Sequence, residues 1–448
     1  MKRLSYLSYD LKSLSIHSLE IIRNLIDGGI EVHLLCPERF PLPRSLHPRC
    51  GLQRVRQGGG PAAFRNMRLQ VALVRHLLLA TRTGRRPDLI YARQTYSGLL
   101  PCMLARLLRI PYFAEVNGIV PGRNSVSKIR SRWLKVALEK RALLLADAII
   151  IPSHFLKHRV AQRYRIPPSR IAVVPNGANE ALFHPDSKNE SQPQTETGTF
   201  TVGFVGSMGA WQGIDVLKAA IRQVASRDRG VRFDLVGDYT PDGDQRKMAD
   251  VGGEALAGWN RFIDRHGLSK QVYCHGFVEY EQSAIHMRRC DVLLAPYAGS
   301  YREFGGGSPM KLYAYMATGK PVIVSDLGEL TDVPALRQQQ AAYFIPPDDP
   351  DALAAAIIAS DTASNQEWIR HGQNGWQVDL LDLSGFTTAS LQALREPLNP
   401  EAIQANRKRV ETEADFETNM QAVEAAFIQM ASKTAQSRIA SATKIDAV

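Results

Sequence analysis

The chain holds five cysteines among 448 residues, Cys36, Cys50, Cys102, Cys274 and Cys290, with no C-x-x-C pair and no histidine clustered beside them. That spacing argues against a zinc site and against a disulfide framework, and reads as reduced thiols in a cytoplasmic protein. No apolar run reaches the roughly 20 residues that a membrane-spanning helix needs. "LQVALVRHLLLA" is cut by Arg75 and His76, and "ALLLADAIII" by Asp147. The start, "MKRLSYLSYDLKSL", is basic but has no apolar stretch of signal-peptide length, so it reads as a first strand and loop. Acidic residues fall short of basic ones, 44 against 55, giving a formal net charge of +11. An excess of that sign points to anionic partners: phosphate-bearing ligands, acidic lipid or nucleic acid. RNP-like aromatic strands, zinc knuckles and basic heptads are missing, which argues against nucleic acid. Clustered Asp and His ligands are missing too, which argues against a metal site.

What is present is patterned. At 448 residues the chain exceeds the size at which one hydrophobic core stops growing, so two domains are expected. With 44% hydrophobic and 22% charged residues, it reads as globular rather than disordered or fibrous. Short β-branched runs alternate with amphipathic stretches, the pattern of βαβ units around a parallel sheet. A first series of strands reads "RLSYLSY", "IEVHLLCP", "DLIYARQ", "YFAEVNG", "DAIIIPS" and "IAVVPNG", with helices such as 18–27 and 99–109 between them. A second reads "FTVGFVGS", "RFDLVGD", "VYCHGFV", "VLLAPY", "KPVIVSD" and "AAYFIPP", with helices starting at Asp215, Glu254, Tyr280, Pro309 and Asp349. Polar, Pro-containing and without apolar period, "HPDSKNESQPQTETGT" marks a linker over 184–199. Two α/β domains, 1–183 and 200–400, are expected, followed by helices over 401–431 and a frayed tail over 432–448.

Residues 305–326 read "GGGSPMKLYAYMATGKPVIVSD". Ser308 suits an N-cap, Pro309 the first helical position, and Gly319 with Pro321 the stop, predicting a helix over 309–318. The N–H groups of Met310 and Lys311 then lack intrahelical partners and carry the positive end of the macrodipole. Gly305, Gly306 and Gly307 clear the approach and Lys311 adds a full charge, which together suit a phosphate. The alternative is a tight turn with Lys311 solvated. A second glycine-rich turn, "VGFVGSMGAWQG", ends the first strand of the second domain, where open α/β sheets bind ligands. Two phosphate-sized openings in one domain point to a diphosphate. This turn lacks the G-x-G-x-x-G spacing, and the acidic residue about 20 positions on, that a nicotinamide dehydrogenase requires.

In order and spacing, "RPDLIYAR", "IPYFAEVNG", "EKRALLLADAIIIPSHFLKHRV", "IAVVPNG", "FVGSMGAWQGIDVL", "LVGD", "HGFVEYEQ", "CDVLLAPY" and "SPMKLYAYMATGKPVIVSD" resemble the family 4 glycosyltransferases, in the subgroup reading Ser-Pro-x-Lys. The resemblance covers most of the chain. It implies the GT-B architecture, two facing Rossmann-like α/β domains with parallel sheets, and retaining transfer of sugar from a nucleotide-diphosphate donor with no metal and no other cofactor. The first domain would then carry the acceptor and the second the donor, with the last C-terminal helix packing back on the first. Carried over by position, Gly307, Ser308, Pro309, Met310 and Lys311 would hold the diphosphate, with Ser207, Gln212 and Gly213 on its other side. Phe277, Val278 and Glu281 would flank base and ribose, and Asn117 would face the transferred sugar, making Asn117 and Lys311 the catalytic pair.

Family members carry two glutamates separated by seven residues where this chain has Gly306 and Ala314. Ala314 removes a carboxylate expected on the donor ribose, a contact worth about 1.5–3 kcal/mol, and leaves Glu281 and Glu303 as the nearest replacements. The family's basic pair in the glycine-rich turn is replaced by Ser207 and Gln212, which leaves Lys311 as the evident cation at the diphosphate. Asn117 stands where many relatives have histidine; it exchanges hydrogen bonds but takes no proton, and Asn117-Gly118 reads alternatively as a simple turn at the end of the strand. On the acceptor side, Arg93 ends the strand "DLIYAR" and reads either as an acceptor or phosphate contact or as a surface ion pair. His17 opens the first helix behind a glycine-free loop, "SYDLKSLSIHS", as a sugar or phosphate contact. These departures keep a second reading open, a weak or inactive homologue serving as scaffold in polysaccharide assembly.

The excess charge gathers in "RTGRRPD", "LARLLR" and "SVSKIRSRWLKVALEKRALLLAD" of the first domain. At helical spacing Ile129, Trp133, Val136 and Leu138 line one strip, while Lys128, Arg130, Arg132, Lys135, Lys140 and Arg141 take the remainder. That is the build of a helix lying on anionic lipid, and equally of one packing its apolar face on the core. A lipid contact would place the protein at the inner face of the membrane, with a lipid-linked saccharide as acceptor. The expected function is transfer of a hexose to a glycan or lipid-linked saccharide in cell-surface polysaccharide or lipopolysaccharide synthesis.

Overall fold

A computed structural model describes residues 3–8, 16–37, 46–55, 62–93, 98–118, 129–185, 199–238, 254–301, 308–328, 330 and 342–361. They fall into two compact units, one ending at Pro175 and the next starting at Asn176. The second begins ahead of the polar stretch that composition marks as linker, because residues 176–185 pack on it. Asn176 N–H donates to Ser308 Oγ at 3.0 Å, and the Phe183 ring meets Tyr280 edge-on at 5.4 Å. The helices and tail expected over 401–448 lie outside the described residues.

The first unit runs β1 (Arg3–Ser8), α1 (Ile16–Asp27), β2 (Glu31–Pro37), β3 (Gly51–Val55), α2 (Ala62–Arg82), β4 (Leu89–Arg93), α3 (Leu99–Leu107), β5 (Tyr112–Glu115), α4 (Ile129–Leu145), β6 (Ala148–Ile151), α5 (His154–Tyr164) and β7 (Ile171–Val173). Its seven strands are all parallel, in the order β3-β2-β1-β4-β5-β6-β7. Buried on both faces, β4, β5 and β6 read as near-continuous apolar runs, which is why the sequence announces them. β3 was not announced: "GLQRV" is an edge strand with exposed polar side chains and no apolar alternation. On α4, Val136 packs against the core with Ala142 and Leu143 nearby and buried, so this helix spends apolar surface on the domain interior. The side chains of Ile129 and Trp133 lie outside the described residues.

The second unit runs β8 (Phe200–Val205), α6 (Ile214–Arg227), β9 (Val231–Val236), α7 (Glu254–His266), β10 (Val272–Gly276), α8 (Tyr280–Arg289), β11 (Val292–Ala295), α9 (Met310–Ala317), β12 (Val322–Ser325), β13 (Ala342–Ile345) and α10 (Pro350–Asp361). Its sheet is also parallel, ordered β10-β9-β8-β11-β12-β13. Apolar clusters line it: Phe204, Leu217, Leu235 and Leu353 belong to one, Leu293, Leu312 and Tyr315 to another. All five described cysteines are free thiols, and no described helix is long and apolar enough to cross a membrane.

Candidate functional site

In the first unit the strand order reverses between β1 and β4, and open α/β sheets take ligands beyond the strand ends at such a point. Arg93, last in β4, pairs in register with Glu115, last in β5. His17, near the start of α1, places Nε2 2.8 Å from Glu115 Oε1, and the Asn117 amide donates to the same oxygen. The Tyr6 hydroxyl lies 2.9 Å from Ser18 Oγ and 3.4 Å from Glu115 Oε2, and Arg93 donates to Ser18 Oγ at 3.4 Å. His17, Arg93 and Asn117 thus converge on one carboxylate, and Glu115 is only 2% exposed.

Burial pushes the Glu115 carboxyl up, but the His17 charge and hydrogen bond, with Arg93 and Asn117, outweigh it and hold it down to about 2. Glu115 is therefore ionised at neutral pH. Burial, and then that charge, raise the Tyr6 and Tyr91 hydroxyls well above the ordinary phenol range, so both remain donors. Enclosed as it is, Glu115 is placed to orient other groups rather than to meet a substrate. The side chains it orients, Asn117 and His17, are half-buried at the crevice end of the sheet.

The second sheet reverses between β8 and β11. Two glycines there are fixed by close approach: at Gly213, φ +72°, an added Cβ would lie 1.7 Å from the Pro296 carbonyl oxygen, and at Gly237, φ +127°, 1.8 Å from that of Gly206. Lys311, on the first turn of α9, reaches the β8 loop with Nζ 2.6 Å from Gln212 Oε1, and Gln212 Nε2 lies 3.4 Å from Ser207 Oγ. The two side chains that replace the family's basic pair are therefore linked to the lysine. The ammonium also sits 4.4 Å from the ring centroids of both Phe204 and Tyr297. Burial pushes this ammonium down to about 7, so near neutrality its charge is easily gained and lost.

Ser308 does not cap the helix, contrary to the sequence expectation. Pro309 occupies the cap position with no side-chain bond, and α9 starts at Met310. The Ser308 hydroxyl is buried, accepting from Asn176 N–H and lying 3.0 Å from the Tyr313 hydroxyl, while its carbonyl accepts from the Asn176 amide. Serine here fastens the entry of α9 to the segment after β7. Ala314 is 6% exposed within the core, so the position where relatives place a ribose-binding carboxylate is given to packing. Phe277 and Val278 are half-buried between β10 and α8, with Glu281 exposed in the first turn of α8. The Gly276 carbonyl, at the end of β10, accepts from Gly237 N–H at 2.7 Å, tying that segment to the same edge of the sheet. Gly305, Gly306, Gly307 and Glu303 lie outside the described residues.

Sequence reasoning missed Glu115, Tyr6 and Ser18 in the first unit, and Phe204 and Tyr297 around the lysine. One signal was available: Glu115 is the acidic end of the otherwise apolar "YFAE", two residues before the singled-out asparagine.

Two family descriptions match: Glycosyltransferase Family 4 over residues 14–182, and Glycosyl transferases group 1 over residues 199–359. A phosphatidyl-myo-inositol mannosyltransferase of Mycolicibacterium smegmatis is 31% identical over 372 residues, spanning 76% of this chain and 79% of that protein. Among solved structures, sucrose-phosphate synthase from Thermosynechococcus elongatus aligns with a TM-score of 0.69 at 18% identity, over 97% of this chain and 100% of that one. Anabaena HepE in complex with UDP-glucose aligns at 0.65 and 16% identity, over 96% and 100%. The structural likeness shows the GT-B fold. With that fold, both family matches and a relative above 30% identity, the chain belongs to the family 4 glycosyltransferases and is a transferase enzyme.

Proposed function

We propose that this transferase is a retaining, metal-independent hexosyltransferase that moves a sugar from a nucleotide diphosphate to a glycan or lipid-linked saccharide in the synthesis of cell-surface polysaccharide or lipopolysaccharide. The observation that carries the reading is Lys311: an ammonium on the first turn of α9, held by Gln212 and flanked by two aromatic rings at the switch point of the second sheet. The free N–H groups of a helix start and one lysine together offer a departing diphosphate the positive field it needs. As the bond from sugar to phosphate breaks, the diphosphate oxygen takes the acceptor hydroxyl's proton, and the acceptor oxygen bonds to the same face of the sugar. No protein base is required on that path, in keeping with an asparagine at position 117. Asn117 and His17, fixed by Glu115, present hydrogen bonds to sugar hydroxyls. The UDP-glucose complex of HepE favours a uridine donor. The mannosyltransferase, a phosphatidyl-inositol enzyme by name, favours a lipid-linked acceptor.

A panel of sugar nucleotides, read as released diphosphate, identifies the donor, and calorimetry with the corresponding nucleoside diphosphate checks the seat. Lys311→Ala should weaken that binding at least tenfold, the loss of one charge-assisted contact of about 1.5–3 kcal/mol. Unchanged affinity would remove the central support. A scaffold, by contrast, gains no thermal stabilisation from uridine or guanosine diphosphate at any concentration, whereas a binder gains about 2.7 kcal/mol at a hundred times Kd.

A further inference from the structure

The second sheet gathers three metal-ligating side chains that sequence order scatters. Asp234 lies within β9, His275 near the end of β10, and His286 on α8. His275 Nε2 contacts Asp234 Oδ1, His286 Nδ1 lies 3.1 Å from Oδ2, and one ligand atom from each residue falls within 4.8 Å of the others. The imidazole rings are 4.5 Å apart by centroid. The edge strand is built for this: Cys274 pairs with Leu235 and Gly276 with Val236, so β10 carries one extra residue, His275. Such a bulge bends the strand and re-aims the residue it frees. α8 packs on β8 and β9, bringing His286 over the carboxylate. Side-chain exposure falls from 34% at His275 through 16% at His286 to 6% at Asp234, leaving the group open on its strand-edge side.

We propose that Asp234, His275 and His286 form a binding site for a divalent transition-metal ion of the zinc type, which cross-links β9, β10 and α8. Two imidazoles and a carboxylate suit zinc and its neighbours rather than calcium or magnesium, whose ligands are oxygens. A tetrahedral site with bonds of about 2.0–2.2 Å sets ligand atoms roughly 3.4 Å apart, which small rotations of these side chains supply. The exposed edge offers the fourth position to water. Cys290 is no ligand: its Sγ donates to the His286 carbonyl at 3.1 Å, and burial pushes its thiol far up. The turn between His275 and α8 contains Phe277 and Val278, so the ion fixes both ends of the segment expected beside the base. This role is independent of the transfer chemistry, which remains without metal.

The test uses the untagged full chain, stripped with chelator and titrated with zinc chloride by calorimetry, and followed by hydrogen exchange. One equivalent should bind and slow exchange across residues 272–289. His275→Ala and His286→Ala should each weaken binding more than about a hundredfold, beyond the loss expected for an outer-shell partner. Cobalt in place of zinc should give the intense visible bands of a four-coordinate ion in the wild type, a readout that stands even where a variant fails to fold. No zinc uptake, affinity unchanged in both alanine variants, or the weak spectrum of six-coordinate cobalt would each overturn the proposal.

Discussion

At the scale of one residue, the burial of Lys311 costs stability, and the proposed diphosphate seat would use the charge that burial weakens. Burial holds its ammonium near 7, below the 10.5 of an ordinary lysine. Between those values the unfolded chain binds more protons than the folded one, so this group's contribution to stability rises with pH across that window. A diphosphate arriving on the neutral lysine would draw a proton onto it. Affinity should then be greatest below pH 7 and fall above it, by up to about tenfold per unit. Calorimetry at pH 8 in two buffers of different ionisation heat should show proton uptake on nucleotide binding, and Lys311→Met should abolish that uptake while raising the melting temperature at pH 7. Binding that ignores pH from 6 to 9 would break the link between lysine and diphosphate. The lysine itself was legible from its place behind a glycine run. The rings of Phe204 and Tyr297 were not, because nothing local ties residues 204 and 297 to 311 until the sheet is assembled.

At the scale of elements, the strand ends do the work. Parallel strands buried on both faces write themselves as apolar runs, so every strand but the exposed edge β3 was readable. The five helix starts read in the second unit fall within a residue of those observed, whereas α1 starts at Ile16, two residues ahead of the expected 18. Side-chain direction at those ends was not. Ser308 has the composition of a cap but turns inward to Asn176 and Tyr313, since a buried hydroxyl is held by whatever partners tertiary packing brings. The Asp234 group stayed hidden because a bulge, which sequence periodicity does not reveal, aims His275. Glu115 was hidden by the opposite effect: a charge at the end of a buried strand looks like a boundary until Arg93 and His17 arrive from neighbouring elements. Glu115→Gln keeps the shape and removes the charge. Breaking a buried pair costs about 3–5 kcal/mol, so chemical denaturation should show a loss of that order. Turnover should fall through the acceptor, with nucleoside diphosphate affinity unchanged; a loss of nucleotide binding with the first-unit variant would refute the division of labour.

At the scale of the whole molecule, the +11 charge asks for a surface on which to act. α2 and α4 both pack on α3, and this helical layer of the first unit exposes Met67, Val71, Leu79, Met103, Leu107, Leu134 and Leu144. Arg68, Arg75, Arg82, Arg106 and Arg141 are exposed on the same helices. Apolar side chains of that size, interleaved with arginines, are what an anionic bilayer surface recruits, so we propose this layer, rather than α4 alone, as the place to test for the lipid contact expected from the sequence. Each basic residue near such a surface adds about 1 kcal/mol, and the attraction fades as the screening length shrinks from about 10 Å at 0.1 M salt to about 3 Å at 1 M. The full chain should therefore sediment with phosphatidylserine-containing vesicles at low salt, release at high salt, and ignore neutral phosphatidylcholine vesicles. Val71→Asp with Leu107→Glu should abolish sedimentation while leaving nucleoside diphosphate binding intact, because both positions are exposed on α2 and α3 of the first unit and α9 belongs to the second. Equal binding to neutral and anionic vesicles, or retention by the double variant, would detach the charge from any membrane role and leave the acceptor to be sought among soluble glycans.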